Sequence, residues 1–96
     1  MIGLNVYYTL MLGKREQFIH DVKEAGILEL SKAEKGNMLY DYYIPIASGN
    51  ELLLVEKWKD EAAIKDHMET EHVKALLSLK AKYVTNTVVD RYVLSE

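Results

Sequence analysis

The chain has no cysteine and a single proline. Without thiols there can be no disulfide scaffold, no iron–sulfur cluster and no thiolate zinc site. Long apolar runs are missing too. The longest stretch free of charge, Met1 to Gly13, is shorter than the roughly 18 apolar residues that a membrane span needs. Its first basic residue, Lys14, follows the apolar stretch instead of preceding it, so it does not read as a secretory leader, and the expected address is cytoplasmic. Neither sign of charge dominates: 12 Lys and Arg stand against 15 Asp and Glu, a net charge of -3. Both signs are interspersed, which leaves no basic face for nucleic acid or an anionic membrane. There is no Gly-rich phosphate loop, no nucleophile elbow and no HExxH.

What remains is an ordinary globular composition, 49% hydrophobic and 28% charged over 96 residues. The expectation is one domain, residues 1–96. A chain of this size buries only about two-thirds of its unfolded surface. If it also keeps a substrate cavity, it gains by covering a further face with a second copy. Seven tyrosines and four methionines supply such a surface, and a homodimer is expected.

Periodicity sets the elements. Ile2, Leu4, Val6, Tyr8, Leu10 and Leu12 alternate with Asn5, Tyr7 and Thr9, a strand pattern that Gly13 ends. From Lys14 to Lys35 the spacing changes: Ile19, Val22, Gly26, Leu30 and Ala33 recur at three and four. That predicts one amphipathic helix with Gly36 as its C-cap and Gly26 as a point of close helix–sheet approach. Met38 to Ile46 alternates again, Ser48-Gly49-Asn50 is a turn signal, and Glu51 to Lys59 resumes as a strand, making a hairpin. Asp60 is placed to cap a helix over 61–68, and Thr70 a second helical stretch to about Lys82. Val84 to Leu94 closes the chain as a strand. The order β-α-β-β-α-β, with its second helix broken near Glu69, predicts the α+β ferredoxin-like arrangement: an antiparallel sheet with helices on one face.

A few residues stand out against this background. His67 and His72 are five apart, which is not the i, i+4 pairing of a zinc helix, so no metal site is expected. Glu56 shares a strand face with Leu52, Leu54 and Trp58. A carboxylate there needs a partner, and burial raises its pKa. It reads either as an ion pair with Arg91 or Lys57 or as a pocket acid or base. Trp58 reads as core or as pocket wall. Asn5 is an amide in a strand, where asparagine is depleted; it fits either an edge hydrogen bond or a donor reaching into a cavity. Tyr40, Tyr42 and Tyr43 fit sheet or dimer packing, and His20 a solvated helix face.

The middle of the chain resembles the antibiotic biosynthesis monooxygenase family. The pattern is Glu34-Lys35-Gly36-Asn37, then Tyr40, then Glu56-Lys57-Trp58-Lys59-Asp60, then His67 and His72. The resemblance implies a dimeric α+β barrel with a cavity in each subunit. It also implies oxidation of a small quinol or polyphenol by O2 as co-substrate, with no resident cofactor. On that reading His67 is the base, His72 a second candidate base, and Asn5 orients the substrate oxygen. Glu56, Trp58 and Tyr40 build the pocket. Haem degraders of the same family carry a Trp and a proximal His at positions that fall here on His67 and Leu77, so the axial ligand is missing. Two other readings accompany it. One is isomerisation of a small phosphorylated diketone, gripped by Lys57, Lys59 or Arg91. The other is a ligand-binding dimer without turnover.

Overall fold

A computed structural model describes residues 1–95. Its elements are β1 (Ile2–Leu10), α1 (Arg15–Glu24), α2 (Ile27–Lys32), β2 (Asn37–Tyr43), β3 (Glu51–Trp58), α3 (Glu61–Met68), α4 (Glu71–Tyr83) and β4 (Val84–Val93). The strands form one antiparallel sheet in the order β2-β3-β1-β4. The ferredoxin-like β-α-β-β-α-β order is present, with each helical segment divided in two.

The strand alternation dictates which residues meet the helices. Leu4, Val6, Tyr8 and Leu10 of β1 face inward with Leu52, Leu54, Glu56 and Trp58 of β3, in the registers Leu4↔Glu56 and Val6↔Leu54. Val6, Tyr8, Leu10, Leu52, Leu54 and Trp58 pack with Phe18 and Val22 of α1, Ile27 of α2 and Leu76 of α4 as one buried cluster. Phe18 stands edge-on to Tyr8, Tyr42 and Tyr83, with ring centroids 5.8, 6.4 and 6.0 Å apart, the T-shaped geometry that aromatic quadrupoles favour. Asp60 accepts from Ala63 N at 2.9 Å and Thr70 Oγ1 from Val73 N at 3.2 Å. Both cap signals in the sequence therefore start helices.

The expected helix over 14–35 is instead two. Gly26 lies at φ +71°, and the nearest atom to a Cβ built there is Leu30 Cδ1 at 3.8 Å. Its role is the left-handed turn between α1 and α2, not close packing. Gly36 caps neither helix. A Cβ on it would lie 2.3 Å from Ala63 Cβ, so its bare Cα is what lets α3 settle against the entry to β2. The first strand ends at Leu10, and Leu12, expected inward, is 84% exposed.

The other sheet face is covered by no element among the described residues. Tyr7, Tyr43 and Val88 are exposed there. No helix of the described residues is long and apolar enough to cross a membrane.

Candidate active site

A cavity of about 180 Å³ lies between the sheet and the α3–α4 pair. Most of its wall is aliphatic, from Leu4, Val6, Leu54, Ile64, Val73, Leu76 and Val89. The polar groups on it are few: Tyr8, Tyr40, Glu56, His67, Lys80 and Thr87. A mostly apolar hollow with a few convergent polar side chains is the usual form of a small-molecule site. A second cleft of about 230 Å³, beside Ile19, Lys23 and Asp41, contains no histidine.

His67 comes from the last turn of α3 and is only 4% exposed. Its ring is held from three sides. Trp58 lies 4.5 Å away centroid to centroid, tilted by 39°, and Tyr40 5.6 Å away. On the third side Glu34 Oε2 sits 2.5 Å from His67 Nδ1 and 2.8 Å from His72 Nε2. Glu34 belongs to the link between α2 and β2, so three separate segments meet at one carboxylate oxygen. An ionised carboxylate only accepts hydrogen bonds. With Glu34 as such an acceptor, each ring turns an N–H toward it, and a neutral His67 keeps its lone pair on Nε2. That nitrogen is 3.9 Å from Glu56 Oε1.

Glu56 is 7% exposed. Trp58 Nε1 donates to its Oε1 at 3.0 Å. Burial raises its pKa above the ordinary value, and the Trp58 bond and the nearby His67 oppose the rise. Neither expected cation pairs with it. Arg91 is bonded instead to Glu61, and Lys57, one residue along β3, belongs to the opposite face by strand alternation. None of Lys57, Lys59 or Arg91 lines the cavity, so the grip foreseen for a phosphorylated substrate is not assembled here. The cation on the wall is Lys80, held 5.0 Å from the centre of the Tyr8 ring, its pKa lowered by burial. Burial likewise raises the phenols of Tyr8 and Tyr40 well above their usual value. The Tyr40 hydroxyl is buried beside those of Ser31 and Tyr42.

The structure thus brings five of the six sequence candidates into one neighbourhood. His67, Glu56 and Tyr40 line the cavity, while Trp58 and His72 stand behind His67 and touch its ring or its carboxylate partner. Asn5 is elsewhere. It pairs in register with Val55 and Asp90, on the face away from the helices. There its Oδ1 accepts from the Tyr92 hydroxyl at 3.2 Å. The Tyr92 ring can reach it because Gly3 has no side chain: a Cβ there would lie 2.4 Å from the ring.

Lys80 and Glu34 are not among the sequence candidates. Lys80 had a signal, as a charge within the apolar stripe of Val73, Leu76 and Leu77. Glu34 had only its place in the E-x-G-N pattern.

Comparison with known proteins agrees with this architecture. The antibiotic biosynthesis monooxygenase family profile matches residues 1–78. A Bacillus subtilis (strain 168) protein, YcnE, provisionally described as a monooxygenase, is 37% identical over 90 residues, covering 94% of this chain and 92% of its own. The crystal structure of PA3566 from Pseudomonas aeruginosa superposes with a TM-score of 0.86 at 24% identity, covering 98% of this chain and 94% of that one. Rv0793 from Mycobacterium tuberculosis gives 0.86 at 18% identity, covering 99% and 95%. These two likenesses concern the fold.

Proposed function

The chain belongs to the antibiotic biosynthesis monooxygenase family, and from that premise we propose that it oxidises a small aromatic quinol or polyphenol with O2 and no resident cofactor. The observation that carries the reading is His67: its Nδ1 is engaged by Glu34 at 2.5 Å, and the residue forms part of the cavity wall. This arrangement holds one tautomer and leaves Nε2 free to take a proton, the task of a general base working near neutral pH.

The chemistry needs little more. Deprotonation of a quinol gives an electron-rich phenolate, which reduces O2 directly. The overall change is balanced without an outside reductant: a hydroquinone and O2 give a hydroxyquinone and water. One oxygen atom enters the ring and the other leaves as water with two substrate hydrogens. The protein has to deprotonate, orient and exclude bulk water. Tyr40 closes the wall beside His67, and the Lys80 ammonium favours the phenolate by its charge. An apolar cavity of roughly 150 Å³ can hold benzene. At about 180 Å³, this one suits a single substituted ring.

A homodimer is part of the proposal. Exposed Tyr7, Tyr43 and Val88 on the uncovered sheet face are the surface that a second copy would bury.

The test is oxygen uptake by metal-stripped protein over a panel of single-ring hydroquinones, with autoxidation subtracted and His67→Ala run in parallel. Uptake that collapses in the variant supports both reaction and base. Uptake that survives the substitution removes His67 from the role. No uptake on any substrate overturns the monooxygenase in favour of a binding protein.

A further inference from the structure

The oxygen shared by two imidazoles has a second chemical meaning. Two histidine nitrogens and one carboxylate oxygen are a recurrent donor set for a borderline divalent transition metal. Here His67, His72 and Glu34 each bring one donor atom within 4.8 Å of the others, and the nitrogens that meet the Glu34 oxygen are Nδ1 of His67 and Nε2 of His72. The three side chains retain only 5%, 11% and 16% of their surface. Donors come from three segments, so the chain closes around the point where they meet. Tetrahedral ligands at zinc-like bond lengths stand about 3.4 Å apart. The present Glu34–histidine spacings of 2.5 and 2.8 Å open to that value if the carboxylate backs away by less than about an ångström, and rotation of the two imidazoles sets the spacing between their nitrogens. Hard cations such as Mg²⁺ and Ca²⁺ prefer all-oxygen shells and are poorly served by two imidazoles.

We propose that Glu34, His67 and His72 bind one Zn²⁺-class cation, and that the bound cation switches the site off. Coordination uses the Nδ1 lone pair of His67, and a neutral imidazole then carries its hydrogen on Nε2. The nitrogen that would take a substrate proton is therefore no longer basic. In the metal-free form Glu34 holds the hydrogen on Nδ1 and leaves Nε2 free. The same carboxylate thus serves two exclusive states. Metal binding itself is independent of the proposed reaction; the inhibitory effect rests on His67 acting as its base.

The experiment is titration of the metal-stripped full-length chain with Co²⁺, followed by the visible d–d absorption of a low-coordinate imidazole–carboxylate complex. Saturation at one Co²⁺ per chain is expected, with displacement by Zn²⁺. Glu34→Gln and His72→Ala should both lose the signal, and His20→Ala should retain it. Folding of the variants is checked by circular dichroism. Long-range ¹H–¹⁵N NMR should show the His67 hydrogen moving from Nδ1 to Nε2 on Zn²⁺ addition. With an oxidisable substrate in hand, stoichiometric Zn²⁺ should lower turnover by about 100-fold, the scale of a lost general base. Absence of the absorption, or its persistence in both folded variants, overturns the site. One bound Co²⁺ with turnover unimpaired by Zn²⁺ overturns the switch. If no substrate is turned over at all, the oxidation reading fails while the Co²⁺ and NMR results still decide the metal site.

Discussion

Glu34 and His67 are 33 residues apart in the chain, yet a carboxylate oxygen of one lies 2.5 Å from the ring nitrogen of the other. The contact joins the link after α2 to the end of α3. A group that touches only the back edge of an imidazole acts by fixing its tautomer and tilt, as the acidic member of a catalytic triad does. In the proposed reaction Glu34 is therefore a positioning residue.

Removal of the ring and removal of its support should differ in kind. His67→Ala is expected to lower kcat by roughly 100- to 10,000-fold, the range of a general base. Glu34→Gln should lower kcat less, leave KM nearly unchanged and alter the pH profile of kcat. A purely structural role would leave that profile alone. Steady-state oxygen uptake across pH separates the two.

Glu56 makes stability depend on pH with a definite sign. Unfolded, its carboxyl titrates near the ordinary 4.5, and burial raises that value in the fold. Between the two values the native chain holds a proton that the unfolded chain has lost. Its contribution is thus complete below about 4.5 and declines as pH rises through the native value. Glu56→Gln keeps an acceptor for Trp58 Nε1 and removes the charge. The variant should lose this slope and unfold at higher urea than the parent at neutral pH. Urea midpoints from acidic to neutral pH provide the check.

Gly36→Ala places a methyl carbon 2.3 Å from Ala63 Cβ. Relief requires α3 to move, at a cost of about 1–3 kcal/mol for overpacking. The displacement carries His67 away from Glu34, so activity should fall as well as stability. Ala63→Gly in the same background should restore much of both, measured by urea unfolding and by turnover.

Lys80→Met removes the cation from the cavity wall and retains most of the side chain's length. A phenolate should then bind about tenfold more weakly, the low end for a hydrogen bond to a charged group. Lys80→Arg should recover part of the loss. Equilibrium titration with a coloured nitrophenolate measures it, and unchanged binding would take Lys80 out of substrate recognition.

The sequence was most legible where an interaction is local. Asp60 and Thr70 sit directly before the amides they cap, and strand alternation placed Glu56 with Leu52, Leu54 and Trp58. The break at Gly26 was obscured because apolar residues keep helical spacing on both sides of it, and periodicity carries no record of φ. His67 and His72 would diverge on one continuous helix. The turn at Glu69 and Thr70 brings their rings to 5.8 Å, a separation that spacing arithmetic does not anticipate. Beyond its place in the E-x-G-N pattern Glu34 had no signal, since its partners are 33 and 38 residues away. Asn5 lies on the polar side of its strand, and that alternation keeps it from the cavity where the family resemblance put it.

The carboxylate bridge also has a thermodynamic consequence. Glu34 belongs to the first β-α-β half and the two histidines to the second, so the bridge is a seam between halves. Partial opening of either half dissolves it, and neither half presents the assembled site alone. A ligand fastened at the seam draws on the cooperativity of the whole molecule. It should raise the free energy of global opening by RT ln(1 + [L]/Kd) and slow amide exchange in both halves together.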